Sequence, residues 1–159
     1  REEDDVGPLA RLGRGQLLLF TPPTVRMLSH LRADTEPFGS SCAIGPSPSL
    51  AAIDLPAPDT AFAVELTARA AAAPAFLVVG LGAQNVPLGS GCRSLVGLQL
   101  AVNFTLADGG GIARFALPVP NDLALRGVRF FTQGAVWNPA QSPLGSVTLT
   151  SGLQITIGD

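Results

Sequence analysis

Residues Leu98–Leu106 read LQLAVNFTL, and this stretch decides the fold class. Leu98, Leu100, Val102, Phe104 and Leu106 fall on one side of an extended chain, while Gln99, Ala101, Asn103 and Thr105 fall on the other. Alternation at period two over that length is a β-strand, with its apolar side expected to face a core. Asp108-Gly109-Gly110-Gly111 follows as a turn, because glycine reaches the positive φ that tight turns need. Ile112–Leu117 is then expected to return as a hairpin partner, with Phe115 and Leu117 inward and Arg114 outward.

The rhythm extends in both directions. Upstream, Ala75–Leu81 (AFLVVGL) is a continuous apolar run of strand length, expected to be covered on both sides. Ala61–Arg69 alternates, with Phe62, Val64 and Leu66 opposed to Glu65, Thr67 and Arg69. The alanines of 68–73 have high helix propensity, but the run before Pro74 is too short to stand alone and is read as a strand end and loop. Downstream, Pro118–Asn121 breaks the sheet, and Asn121 is expected to cap a single helical turn over Asp122–Leu125. Val128–Trp137 is the next strand, and Ser146–Thr150 and Leu153–Ile157 form an expected hairpin about Ser151-Gly152. About seven to nine strands separated by Pro and Gly, with no βαβ unit and no repeat, predict an all-β antiparallel sandwich of jelly-roll or immunoglobulin-like type.

Residues 1–36 lack this rhythm and are expected to form an extended N-terminal arm, with 37–159 as the sandwich module. Arg1–Asp5 (REEDD) is a charged tip. Gln16, Leu17, Leu18, Leu19 and Phe20 make a compact apolar run, Pro22-Pro23 bars a continuous helix, and Thr24–Leu28 carries Val25 and Met27. A short helix over Val25–Leu31 is the alternative for the last of these.

At 159 residues the chain is long enough for one domain with a real core. Only 14% of residues are charged, 47% are apolar and the formal net charge is −2, so neither a nucleic-acid backbone nor an anionic membrane is indicated as partner. No apolar run is long enough for a membrane-spanning helix. All ten basic residues are arginine, a signature of base composition rather than of guanidinium chemistry. An N-terminal Arg in place of Met fits a processed, exported chain. Cys42 and Cys92 are the only cysteines, in no metal-binding spacing. In an oxidising compartment they would form a bridge closing a loop of about 50 residues; two buried free thiols are the alternative.

Several segments together resemble a known kind of module. They are Pro37–Cys42 (PFGSSC), Leu77–Leu81 (LVVGL) before Gly91-Cys92, Pro118–Gly127 (PVPNDLALRG), Phe131-Thr132-Gln133 and Ser151–Gly158 (SGLQITIG). In this order they resemble the uncharacterised C-terminal β-modules of large exported proteins of planctomycetes and some other Gram-negative bacteria. The resemblance implies a Cys42–Cys92 bridge and a non-catalytic extracellular β-domain. Behind residues 1–36 the module is expected to stand almost alone, the arrangement a self-assembling subunit would need.

Catalytic chemistry is thinly supplied. His30 is the only histidine, and a nucleophilic triad would have to recruit it from the arm. Asp54, Asp59, Glu65, Asp108 and Asp122 are the candidate carboxylates, but most sit beside Pro or Gly, where Asp caps backbone donors. Gly109–Gly111 lacks the lysine and spacing of a phosphate loop. Asn103-Phe104-Thr105 matches a glycosylation sequon by chance composition. No calcium-loop pattern and no cofactor motif occurs. Trp137 with Phe131 on the same strand face would suit an aromatic sugar platform, against the simpler reading that Trp137 caps the sandwich edge.

Two functions follow as expectations. The first is an extracellular, non-enzymatic structural protein that assembles into a filament, tube or surface layer by strand exchange of its arm, through Gln16–Phe20, Val25 and Met27. The second is an accessory module binding polysaccharide or a cell surface.

Overall fold

The computed structural model describes residues 32–158 with their side chains, and the backbone of three strands within residues 9–29. Those three are β1 (Leu9–Leu12), β2 (Gln16–Thr21) and β3 (Thr24–Ser29). The module follows as β4 (Asp34–Phe38), β5 (Ser49–Ala52), β6 (Thr60–Thr67), β7 (Pro74–Gly89), β8 (Cys92–Leu106), β9 (Ile112–Val119), β10 (Arg129–Trp137) and β11 (Val147–Thr156). Every pairing is antiparallel. A five-stranded sheet in the order β4-β11-β10-β7-β8 faces a three-stranded sheet in the order β5-β6-β9. These eight strands form a β-sandwich, as the alternating sequence predicts.

The core lies between the two sheets. Phe62, Val64 and Leu66 of β6 are fully buried and meet Leu77, Val136, Leu153 and Ile155 of the larger sheet. Phe62 and Phe130 contact edge to face with ring centroids 6.5 Å apart. On β9, Ala113 and Phe115 continue the buried face by pairing with Leu66 and Val64. Glu65 and Arg114 stand opposite each other on the outer face and form an ion pair at 3.2 Å.

Several expectations are corrected by the register. The apolar row Leu98–Leu106 does not face the core. Its members are exposed, Leu98 by 76% and the others by 57–63%. The cause is parity. Ala75 and Leu77 of β7 are fixed in the core, and opposite them on β8 lie Thr105 and Asn103. Directly paired residues share a face, so Val102, Phe104 and Leu106 are forced outward beside Val78, Phe76 and Pro74. For the same reason Ala75–Leu81 is not covered on both sides: Ala75 and Leu77 are buried, Phe76 and Val78 half-buried, Leu81 exposed.

The Asp108–Gly111 turn does not close a hairpin. It carries the chain from one sheet to the other, since β8 pairs with β7 and β9 with β6. The Asp108 side chain accepts hydrogen bonds from the N–H groups of Gly110 and Ile112 and holds that crossover. Ser151-Gly152 is not a hairpin turn either. β11 runs straight through it, with an extra residue against β10 where Gln133 pairs with Gly152 and Ala135 with Leu149. The glycine is needed because the Phe38 ring of β4 lies where a Cβ would stand. Finally, Asp122 rather than Asn121 caps the helical turn, a 3-10 turn over Leu123–Leu125, by accepting from the Ala124 N–H at 2.9 Å.

β1, β2 and β3 make a separate antiparallel sheet with β2 central. Thr24–Ser29 is a strand and not a helix. Arg1–Asp5, Pro22-Pro23 and His30 lie outside the described residues.

The inverted placement of β8 is directly testable. Phe62→Ala should cost about 3–5 kcal/mol in urea unfolding, as for a buried aromatic. Phe104→Ala should cost less than about 1.5 kcal/mol, although sequence periodicity ranks Phe104 equally as core. Equal losses would restore an inward-facing β8.

Candidate functional site

The outstanding surface feature of the module is the free edge of β8. Its shape depends on how the long β7–β8 hairpin is bent. The register shifts at Val79/Gly80 and again at Ala83/Val86, and such bulges sharpen twist and curvature. At Gly80 the Gly97 carbonyl lies where a Cβ would stand, so only glycine permits this fold-back. The far end of the hairpin thereby covers the outer face of β10 and β11.

A buried glutamine and a disulfide hold it there. The buried Gln133 side chain accepts the Leu95 N–H at 2.9 Å and donates to the carbonyls of Arg93 at 3.1 Å and Thr150 at 3.0 Å. Beside it, Cys42 and Cys92 form the disulfide, with Cα atoms 5.1 Å apart, packed on Leu149. Cys42 also pairs its backbone with Leu149 as an isolated bridge. Leu95 and Val96 are buried as a result.

Beyond the bend, β8 is the last strand of its sheet. Leu100 is the extra residue of the bulge between the Val79–Ala101 and Gly80–Gln99 pairs, and the ladder is regular from Ala101 to Leu106. Phe76 and Phe104 pack on the outer face with ring centroids 5.2 Å apart. From Ser94 to Ala107 the chain carries no charge and no proline. The other sheet edges differ. β4 carries Asp34, Glu36 and Pro37, β9 carries Arg114 and Pro118, and β5 has only four residues. Charge, proline and brevity are the usual means of blocking edge-to-edge pairing. β8 has none of them over its regular ladder.

Next to this edge an apolar cleft of about 290 Å³ opens at the end of the sandwich. Its lining includes Leu81, Leu100, Leu117, Val119, Leu125 and Val128. It offers no nucleophile, acid or base, and can take up only apolar groups.

The candidate carboxylates are dispersed. Asp108 and Asp122 cap turns and Glu65 pairs with Arg114. Among the described residues no group of three or more His, Cys, Asp or Glu could hold a metal, and no helix is long and apolar enough to cross a membrane. The aromatic platform does not form as one surface. Trp137 is half-exposed, but Phe131 packs edge-on against Phe38 at 5.7 Å, and six strand steps place it about 20 Å from Trp137. The arm residues singled out by sequence fall in the separate sheet, Gln16–Phe20 on β2 and Val25 and Met27 on β3, with Leu18 opposite Met27 and Phe20 opposite Val25.

Compared with protein-family models, with curated proteins and with solved structures, the chain matches none. The bridge itself suits a non-reducing environment.

Reducing Cys42–Cys92, or replacing both cysteines with serine, should lower stability by about 2–4 kcal/mol. The effect is measurable as a fall in the urea midpoint of unfolding. Hydrogen exchange should accelerate first at Leu95 and Val96. A midpoint unchanged by reduction would show that Gln133 alone holds the hairpin.

Proposed function

We propose that this chain is an exported, non-catalytic structural module that assembles with copies of itself by β-strand addition from its N-terminal arm. The observation that carries the reading is the unguarded edge of β8, regular over Ala101–Leu106, uncharged, and lined by an exposed apolar row. Strand addition draws its affinity from main-chain hydrogen bonds along such an edge, and its selectivity from apolar contacts beside it. An edge of this kind would otherwise be an aggregation hazard. The disulfide and the resemblance to bacterial exported modules agree with an extracellular setting. The arm offers two candidate donors, Gln16–Phe20 and its neighbour Val25–Met27, both in strand conformation. Polysaccharide or cell-surface binding has in its favour only the half-exposed Trp137.

The test uses three purified proteins: the full chain, a chain starting at Ala33, and Val102→Asp. Truncation must stop before Asp34, because β4 is a paired strand of the sandwich. The full chain should give filaments or other large species by negative stain and light scattering. The truncated chain and Val102→Asp should be monomers, with Val102→Asp melting within a few degrees of the parent because the side chain is exposed. A full chain that stays monomeric at high concentration would sink the proposal, and retention on insoluble polysaccharide would then favour the binding module.

A further inference from the structure

Resting on this assembly reading, we infer that the donor is the free edge of β3, that it adds to β8 of a second copy, and that it cannot reach β8 of its own chain. Three observations lead there. First, β2 is hydrogen-bonded on both sides by β1 and β3. Donating β2 would break two ladders to form one, whereas β3 is, among the described residues, the last strand of its sheet and keeps its ladder to β2 when it adds to another sheet. Second, lengths agree. β3 has 6 residues, and the regular part of β8 runs from Ala101 to Leu106; β1, the other edge of the small sheet, has only 4.

The third observation is chain reach. β3 joins β4 through residues 30–33, so Ser29 and Asp34 are five steps apart. Five extended residues span at most about 18 Å. Strand β4 lies at the opposite edge of the sheet from β8, in the order β4-β11-β10-β7-β8. A strand added outside β8 therefore stands five strand spacings from β4, about 24 Å at the usual spacing. Any route around the sandwich is longer. A tether that cannot span two sites gives an effective concentration near zero between them, so β3 can meet β8 only in trans. The near alternative, β3 adding to its own β4, is opposed by Asp34, Glu36 and Pro37 on that edge, and β3 and β4 belong to separate sheets.

The consequence is directional. Each copy offers one donor edge and one acceptor edge that are different surfaces, so contacts are heterologous and propagate head to tail unless a ring closes.

The test uses full-length chains with the native disulfide intact. Single variants Val102→Cys and Met27→Cys are mixed and treated with a short bismaleimide. Inter-chain dimers carrying one of each variant are expected, while Glu36→Cys in place of Val102→Cys should give none. Separately, twelve Gly/Ser residues inserted between Leu31 and Arg32 lift the reach limit. This insertion should convert assemblies into monomers, with at least a tenfold fall in the assembled fraction. Assemblies that cross-link through Glu36→Cys and not Val102→Cys would overturn β8 as acceptor while leaving assembly standing. Assemblies unchanged by the insertion would overturn the reach argument. Absence of assembly at any concentration would remove this inference and the proposed function together.

Discussion

The arrangement of this sandwich depends on the clamp that folds the β7–β8 hairpin back over its own sheet. Gln133 makes three hydrogen bonds with groups that are otherwise stranded in a buried site. Each contributes about 1 kcal/mol net, and each would cost more than that if left unpaired. The disulfide adds a comparable share, because the loop it closes is long. Together they bury Leu95, Val96 and Leu149 on the outer face. They also determine where β8 stops being covered. On one side of the bend the strand is pinned down; on the other it is a bare edge.

That bare edge is inside-out because register outranks side-chain hydrophobicity at the margin of a sheet. β7 sits over the core and its parity is set by Ala75 and Leu77. A one-residue slip of β8 would turn its apolar row inward. It would also displace the turn at Asp108, whose side chain holds two backbone N–H groups, and shift Cys92 away from Cys42. The larger sheet has five strands and the smaller three, so β8 lies toward the margin of the sandwich, where inward-facing side chains are less completely enclosed. Asn103 and Thr105 are only half-buried there. The driving force for turning Val102, Phe104 and Leu106 inward is weak at such a position, and the anchors at both ends of the strand prevail.

This explains which parts of the structure were legible in the sequence. Alternation reveals two faces but does not say which is buried. For Phe62, Val64 and Leu66 the apolar face is the core face, because β6 is the central strand of its sheet. For Leu98–Leu106 the same pattern has the opposite meaning at an edge. Ser151-Gly152 has turn composition, yet its glycine serves a ring contact with Phe38, a long-range partner that no local window contains. The Asp108 turn was recognisable as a turn, but whether its two strands pair with each other is decided by β6 and β7. β5, with the sequence SLAA, carries no periodic signal at all. The candidate edge was therefore visible as a strand and invisible as a surface. The bridge was the reverse case: the cysteine count raised it, and the packing around Leu149 explains it.

The clamp and the edge are separable, and this bears on function. The strand addition proposed along Ala101–Leu106 would engage main-chain groups on the side of β8 away from β7, while Gln133, Cys92 and Leu95 act beyond the bulge at Leu100. A strand added there would leave undisturbed the bonds that hold the module together. The reverse dependence is strong. If the hairpin were to open, Leu95 and Val96 would become exposed and the uncharged edge would lengthen from Ala101 back toward Ser94. A longer uncharged edge is a less selective one, open to misregistered pairing. The staple therefore does more than stabilise the module. It limits the regular uncharged ladder to Ala101–Leu106, a segment as long as β3, so under the proposed assembly a cross-link outside the contact would restrict strand addition to one short register.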